Sequence, residues 1–242
     1  MQHFIAVSGG KDSTALWLRL EEVEPRDYIP ICTPTGDEPQ ELIEHWRHLE
    51  EITGRKITYL ESGETLHSLI DHFKSLPNNR QRWCTRILKI EPCVQFLAQN
   101  LPCTLYVGLR ADEEERQGGI YDDIPQRFPM REWGWGVGDV HGYLQDKGVS
   151  IPERTDCLRC YHQRLGEWWS LWKDSPEEWA SAVNQEDAVS QYRRKECTFR
   201  NSTRDTWPTS LRDLGQMFAS GNTPKNAAEQ DMFGGKCRVC SM

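Results

Sequence analysis

The sequence predicts an α/β fold: a parallel sheet with helices on both faces, followed by a mainly helical, cysteine-containing C-terminal subdomain. Three observations predict it. Short β-like runs alternate with amphipathic segments through the first half, polar glycine-bearing turns follow those runs, and the strand-like runs stop near residue 135. Alternation of this kind favours parallel strands joined by right-handed crossovers. In such sheets ligands bind beyond the carboxyl ends of the strands.

Taken in order, the strand candidates are 3–7, 28–33, 57–60 and 104–108, and the helix candidates between them are 13–22, 38–53, 65–74 and 86–99. In 38–53, Leu42, Ile43, Trp46, Leu49 and Ile52 recur at helical spacing and supply one buried stripe. Trp133-Gly134-Trp135-Gly136-Val137-Gly138 is glycine-rich punctuation. Beyond it lie helix candidates at 138–148, 161–173, 176–190 and 208–219. The chain therefore divides into an α/β unit, 1–135, and a helical subdomain, 136–242.

With 242 residues the chain can bury one sizeable core plus a subdomain, and a formal charge of −8 argues against coating nucleic acid by bulk electrostatics. Local basic clusters, Arg80, Arg82, Arg86 and Lys89, then Arg193, Arg194, Lys195, Arg200 and Arg204, keep nucleic acid open as a partner. No apolar stretch approaches the roughly 18 residues of a membrane span. Met1-Gln2-His3 leads straight into a strand, so a cytoplasmic protein without a membrane partner is expected. In that reducing setting nine cysteines read as metal ligands, reactive thiols or core residues. Most of the ten tryptophans are expected in cores or interfaces. A homodimer is compatible with this composition.

Ser8-Gly9-Gly10-Lys11-Asp12-Ser13 directly follows the apolar run Phe4-Ile5-Ala6-Val7 and opens a helix. A strand, a glycine turn and a helix N-terminus make an anion site, because first-turn N–H groups and the helix dipole face negative charge. Gly9 and Gly10 let backbone approach oxygen atoms. Lys11 adds a point charge and Ser13 a hydroxyl. The Walker pattern, with its longer spacing between glycines, is not met.

This loop resembles the pyrophosphate loop of the N-type ATP pyrophosphatases, which split ATP into AMP and pyrophosphate while adenylating a substrate. The likeness extends to relatives of phosphoadenosine-phosphosulfate (PAPS) reductase. Thr33-Pro34-Thr35-Gly36-Asp37-Glu38 looks like their Asp-Thr-Gly turn. Arg82-Trp83-Cys84-Thr85-Arg86 with Lys89-Ile90-Glu91-Pro92 resembles their Arg-x-Cys…Lys-x-x-Pro segment. Gly108-Leu109-Arg110-Ala111-Asp112-Glu113 with Arg116 is similar to their Gly-x-Arg-x-x-Glu…Arg motif. The four segments span most of residues 1–135 in the expected order.

The resemblance implies a Rossmann-like (HUP-type) sheet and an adenine nucleotide, ATP, in the crevice formed with Thr35 and Gly108. The 8–13 loop would hold the β- and γ-phosphates, with Lys11 balancing charge as pyrophosphate leaves. Asp12 or Asp37 could hold Mg²⁺ through water. Arg110, Arg86 or Lys89 could clamp the α-phosphate or the acceptor. Asp37 could instead cap the following helix, and Arg110 and Arg116 could pair with Glu113–Glu115.

Cys157-Leu158-Arg159-Cys160 and Cys237-Arg238-Val239-Cys240 are two Cys-x-x-Cys knuckles, and four such thiolates suit Zn²⁺ or an iron–sulfur cluster. The stretch between them far exceeds the roughly 15–20 residues of a zinc ribbon, so the pairs would have to meet in space. In reductase relatives with a [4Fe–4S] cluster, a Cys-Cys pair stands where this chain has Trp83-Cys84. Cys84 is therefore an alternative ligand beside Cys157, Cys160 and one tail cysteine. Thiolate chemistry alone does not choose between the metals. Cys32, Cys93, Cys103 and Cys197 read as structural, and His162 as a weak further ligand. His3, His45, His48, His67, His72 and His141 show no ligand spacing.

The leading expectation is an adenylating ATP pyrophosphatase that prepares an acceptor oxygen for replacement by sulfur or nitrogen, on a nucleobase or nucleic acid among others. The alternative is a sulfonucleotide reductase, disfavoured because the end Gly234–Met242 lacks that enzyme's Glu-Cys-Gly-[Leu/Ile]-His segment and the loop keeps its ATP-type residues whole. A nucleotide-binding accessory subunit is the second alternative.

Overall fold

The computed structural model describes residues 1–116, 124–200 and 205–225. Five parallel strands form one sheet: β1 (Gln2–Ala6), β2 (Tyr28–Cys32), β3 (Thr58–Tyr59), β4 (Cys103–Tyr106) and β5 (Gln126–Arg127). Their order is β3-β2-β1-β4-β5. The chain winds from β1 through β2 to β3, then crosses to the other side of β1. The switch point therefore lies between β1 and β4, and the loops leaving those strands meet there.

Alternation along each strand sends side chains to two cores. On one face Ile5, Cys32 and Tyr106 pack with Leu16 and Trp17 of α1 (Lys11–Val23) and Trp46 and Leu49 of α2 (Gln40–Thr53). On the other, Phe4, Ile31 and Leu105 meet Cys93 and Leu97. A third core joins Leu66, Leu69 and Ile70 of α3 (Leu66–Phe73) to the C-terminal helices α8 (Leu165–Asp174), α9 (Pro176–Arg193) and α10 (Leu211–Ala219) through Trp168, Trp179 and Phe218. Short α6 (Pro129–Glu132) precedes α7 (Val137–Asp146), whose Val140 and Leu144 pack into the α1 core. The two halves thus share packing on both sides of residue 135.

The helix expected over 86–99 is divided. α4 (Trp83–Thr85) runs into a π-helical segment, Arg86–Ile90, and then α5 (Glu91–Gln99). Pro92 explains the wider turn, since its ring has no N–H for the carbonyl four residues back. β5 and α6 were not anticipated; a two-residue strand and a four-residue helix carry no readable period. Among the described residues no helix is long and apolar enough to cross a membrane.

Glu186 of α9 ties the helical region together. Its carboxylate accepts from the backbone N–H of Phe199 (2.8 Å) and of Leu211 (2.7 Å), at only 3% exposure. Burial pushes this carboxyl up to about 7. A pKa raised on folding means that the ionised form is disfavoured in the native state. Its contribution is therefore greatest below about 4.5 and declines as pH rises towards 7. Glu186→Ala strands two buried amides and is expected to lower stability by about 2–4 kcal/mol. In urea denaturation the gap between wild type and variant should narrow from about pH 5 to 7; equal stabilities throughout would refute this role.

Candidate active site at the sheet switch point

The 8–13 loop is folded by its own hydroxyls. Ser13 Oγ donates to Gly10 O (3.1 Å) and accepts from Ser8 N (3.2 Å). Ser8 Oγ lies 3.1 Å from Ser13 Oγ and accepts from Gly10 N (3.3 Å). Gly9 has φ +82°, and a Cβ there would stand 2.5 Å from Leu42 Cδ1 and 2.6 Å from Trp46 Nε1. Only glycine fits both the backbone and the packing. α1 starts at Lys11, so its first-turn amides, which have no intrahelical acceptors, open onto this loop. Trp46, expected in the buried stripe of its helix, also reaches the loop: its Nε1 is buried beside Gly9 without a hydrogen-bond partner.

Gly108, after β4, forms the facing wall. A Cβ on it would lie 3.1 Å from the Asp12 carbonyl and 3.2 Å from Ser13 N, so the β4 turn meets α1 backbone to backbone. Arg110 is 2% exposed and fully engaged by carboxylates. Nη1 donates to Asp12 Oδ2 (2.7 Å), Nε to Asp112 Oδ1 (2.8 Å), and Nη2 lies 3.6 Å from Glu113 Oε1. Glu113 also pairs with Arg116 (2.9 Å). Asp12 Oδ2 is 3.8 Å from Lys11 Nζ, while Asp12 Oδ1 is buried with no partner. This places one carboxylate between two cations with an oxygen left over.

Asp37 is placed differently. Glu38 folds its turn by accepting from Thr35 N and Oγ1 (both 2.6 Å) and Gly36 N (2.9 Å). Both Asp37 carboxylate oxygens are taken: Oδ2 by Arg159 N (2.9 Å), and Oδ1 by a close Arg159 Nη1 ion pair and by His67 Nε2 (3.1 Å). Asp37 O accepts from Leu158 N (2.8 Å). The residue therefore anchors the 157–160 knuckle to the β2 turn, and the N-cap position of α2 falls to Pro39. Arg159, itself 1% exposed, also donates to Glu178 Oε2 (2.8 Å). Neither Arg159 nor His67 stood out in the sequence.

Next to this anchor a pocket is lined by Thr35, Arg82, Cys84, Lys89, Cys157 and Cys160, with His162 also on its wall. A hydrogen bond with Cys157, together with burial, raises the Cys160 thiol well above its ordinary value. Burial first, then the charge of Cys157, raises Cys84. Cys237 and Cys240 lie outside the described residues. Among the described residues no group of three or more His, Cys, Asp or Glu side chains is arranged to hold a metal ion. Cys32, Cys93 and Cys103 are buried in cores, and burial pushes Cys32 up to about 12. Arg86 is exposed, pairs with Glu91 (2.5 Å), and faces a neighbouring groove.

Residues 2–153 match the family model described as the phosphoadenosine phosphosulfate reductase domain. Two uncharacterized proteins of Methanocaldococcus jannaschii are similar. MJ0066 is 25% identical over 200 residues, covering 74% of this chain and 40% of its own length. MJ0973 is 26% identical over 169 residues, covering 63% and 40%. The chain thus spans about 40% of the length of these curated relatives. A crystal structure of PAPS reductase from Candida auris, in a phosphate complex, superposes with a TM-score of 0.51 at 14% identity. The match covers 63% of this chain and 76% of that one, and is a likeness of fold.

Proposed function

This chain belongs to the phosphoadenosine phosphosulfate reductase domain family, and on that premise we propose that it is an adenylating ATP pyrophosphatase. The observation that carries the reading is the 8–13 loop, closed by Ser8 and Ser13 around the N-terminus of α1 with Lys11 buried at its first position. An acceptor oxygen attacks the α-phosphorus, the bond to the bridging α–β oxygen breaks, and pyrophosphate leaves with the electron pair. The α1 amides and Lys11 stabilise the charge gathering on that leaving group.

Asp12 Oδ1 is a buried carboxylate oxygen without a partner, which suits a magnesium-bound water. Magnesium, when bound, would neutralise charge on the phosphate oxygens. Asp37 has no oxygen left for that task, and Arg110 acts as a positioning residue that fixes Asp12. Lys89, on the pocket wall, remains the cation suited to the α-phosphate or acceptor.

Cys84, Cys157 and Cys160 line one pocket without being placed as three ligands of one ion, so a thiolate-bound metal, iron–sulfur or zinc, would have to draw Cys157 and Cys160 together with Cys84, Cys237 or Cys240. Thiolate–metal bonds would fasten the knuckle to the α4 segment. Free thiols in such number fit a reducing, cytoplasmic setting.

Calorimetric titration of the anaerobically purified chain tests the nucleotide. ATP with Mg²⁺ is expected to bind, and adenylyl sulfate to bind much more weakly. Tight binding of adenylyl sulfate without ATP binding would overturn the proposal in favour of sulfonucleotide reduction.

A further inference from the structure

Members of the two basic clusters of the sequence, separated by more than a hundred residues, meet on one open groove: Arg82 and Arg86 of the first and Arg193 of the second. Arg82, Arg86 and Trp83 come from the α4 segment, Phe73 from the end of α3, and Arg193 from the last turn of α9. No carboxylate lines it. Arg193 donates to the backbone carbonyls of Lys74 (2.6 Å) and Phe73 (3.0 Å), and among the described residues no carboxylate pairs with it. Its positive charge is fixed in place without being neutralised.

Three donors on these walls lack acceptors. Arg82 Nε and Nη2 and Trp83 Nε1 are buried and have no hydrogen-bond partner. Buried donors of this kind are rare and costly, and these belong to two side chains that line the groove, Arg82 lining the thiol pocket beside Tyr161 as well. Phe73 and Trp83 stand 5.2 Å apart at 48°, giving aromatic surface beside the cations. Arg80, Arg194 and Lys195, neighbours in sequence of the lining residues, are exposed.

We propose that this groove binds a single-stranded nucleic acid. Arginines spaced along an open track suit successive phosphates, and aromatic faces stack unpaired bases whatever their sequence. A duplex keeps its bases stacked on each other and cannot use those faces. Arg82 lines both this groove and the thiol pocket, so a strand lying here adjoins that pocket. The strand's role as acceptor rests on the adenylation reading; its binding does not.

The test is fluorescence anisotropy of the full chain with labelled strands of about 12 nucleotides, as DNA, as RNA and as duplex DNA, without ATP. Both single strands are expected to bind, with affinity falling as salt rises, and the duplex about tenfold or more weaker. The tighter of the two single strands identifies the sugar. Arg86→Glu with Arg193→Glu should weaken binding by about tenfold or more and flatten the salt slope by roughly two. Arg86→Glu alone, at an exposed side chain whose partner is Glu91 (2.5 Å), should give a smaller loss in the same direction and guards against misfolding. No binding at low salt, preference for duplex, or wild-type affinity in both variants would overturn the proposal. Strand binding in a protein that never forms AMP would leave the groove standing and remove the adenylation reading. AMP formation without strand binding would do the reverse.

Discussion

Lys11→Ala is expected to lower AMP formation from ATP by about 10²–10³-fold, the usual consequence of removing one preorganised donor from developing charge. Lys11 is buried at the start of α1, 3.8 Å from Asp12 Oδ2. Its removal leaves Asp12 paired with Arg110 at 2.7 Å, so the scaffold keeps its ion pair. The loss should fall on pyrophosphate release with little change in melting temperature. Release of labelled pyrophosphate, with a melting curve as control, checks it. An unchanged rate would remove Lys11 from the chemistry.

Arg159→Leu is expected to have the largest effect on stability. The guanidinium is buried between Asp37, His67 and Glu178. Removing it leaves the Asp37 carboxyl nearly inaccessible with its main partner gone, which costs about 3–5 kcal/mol in comparable buried pairs. The damage should be local as well as global, because Asp37 also holds the backbone of Leu158 and Arg159. Cys160, buried in the native protein, should react faster with a thiol reagent in the variant. Denaturation by urea gives the first number and thiol labelling the second. Native-like stability with a protected Cys160 would contradict the anchoring role.

Much of this site could be read before any coordinates. A strand, two glycines and a helix start at 3–22 are local features, and local features survive into the structure. Arg110 and Arg116 each pair with Glu113, three residues away, as the sequence allowed, although residues 111–116 form turns rather than a helix. What spacing could not supply was distance in space. Asp12 reaches Arg110 across 98 positions and Asp37 reaches Arg159 across 122. These contacts engage two of the candidate residues: Arg110 is held by Asp12 and Asp112, and both Asp37 carboxylate oxygens are held by Arg159. The two basic clusters were equally visible as sequence, but only the packing of α9 against the end of α3 brings Arg193 to the groove that Arg82 and Arg86 line.

Anaerobic incubation of the full chain with Mg²⁺ and ATP labelled on the α-phosphate, with a single-stranded acceptor present, tests the central claim most directly. Labelled AMP, free or joined to the acceptor, together with pyrophosphate is the predicted result. Labelled ADP, or unreacted ATP beside ready reduction of adenylyl sulfate, would contradict it.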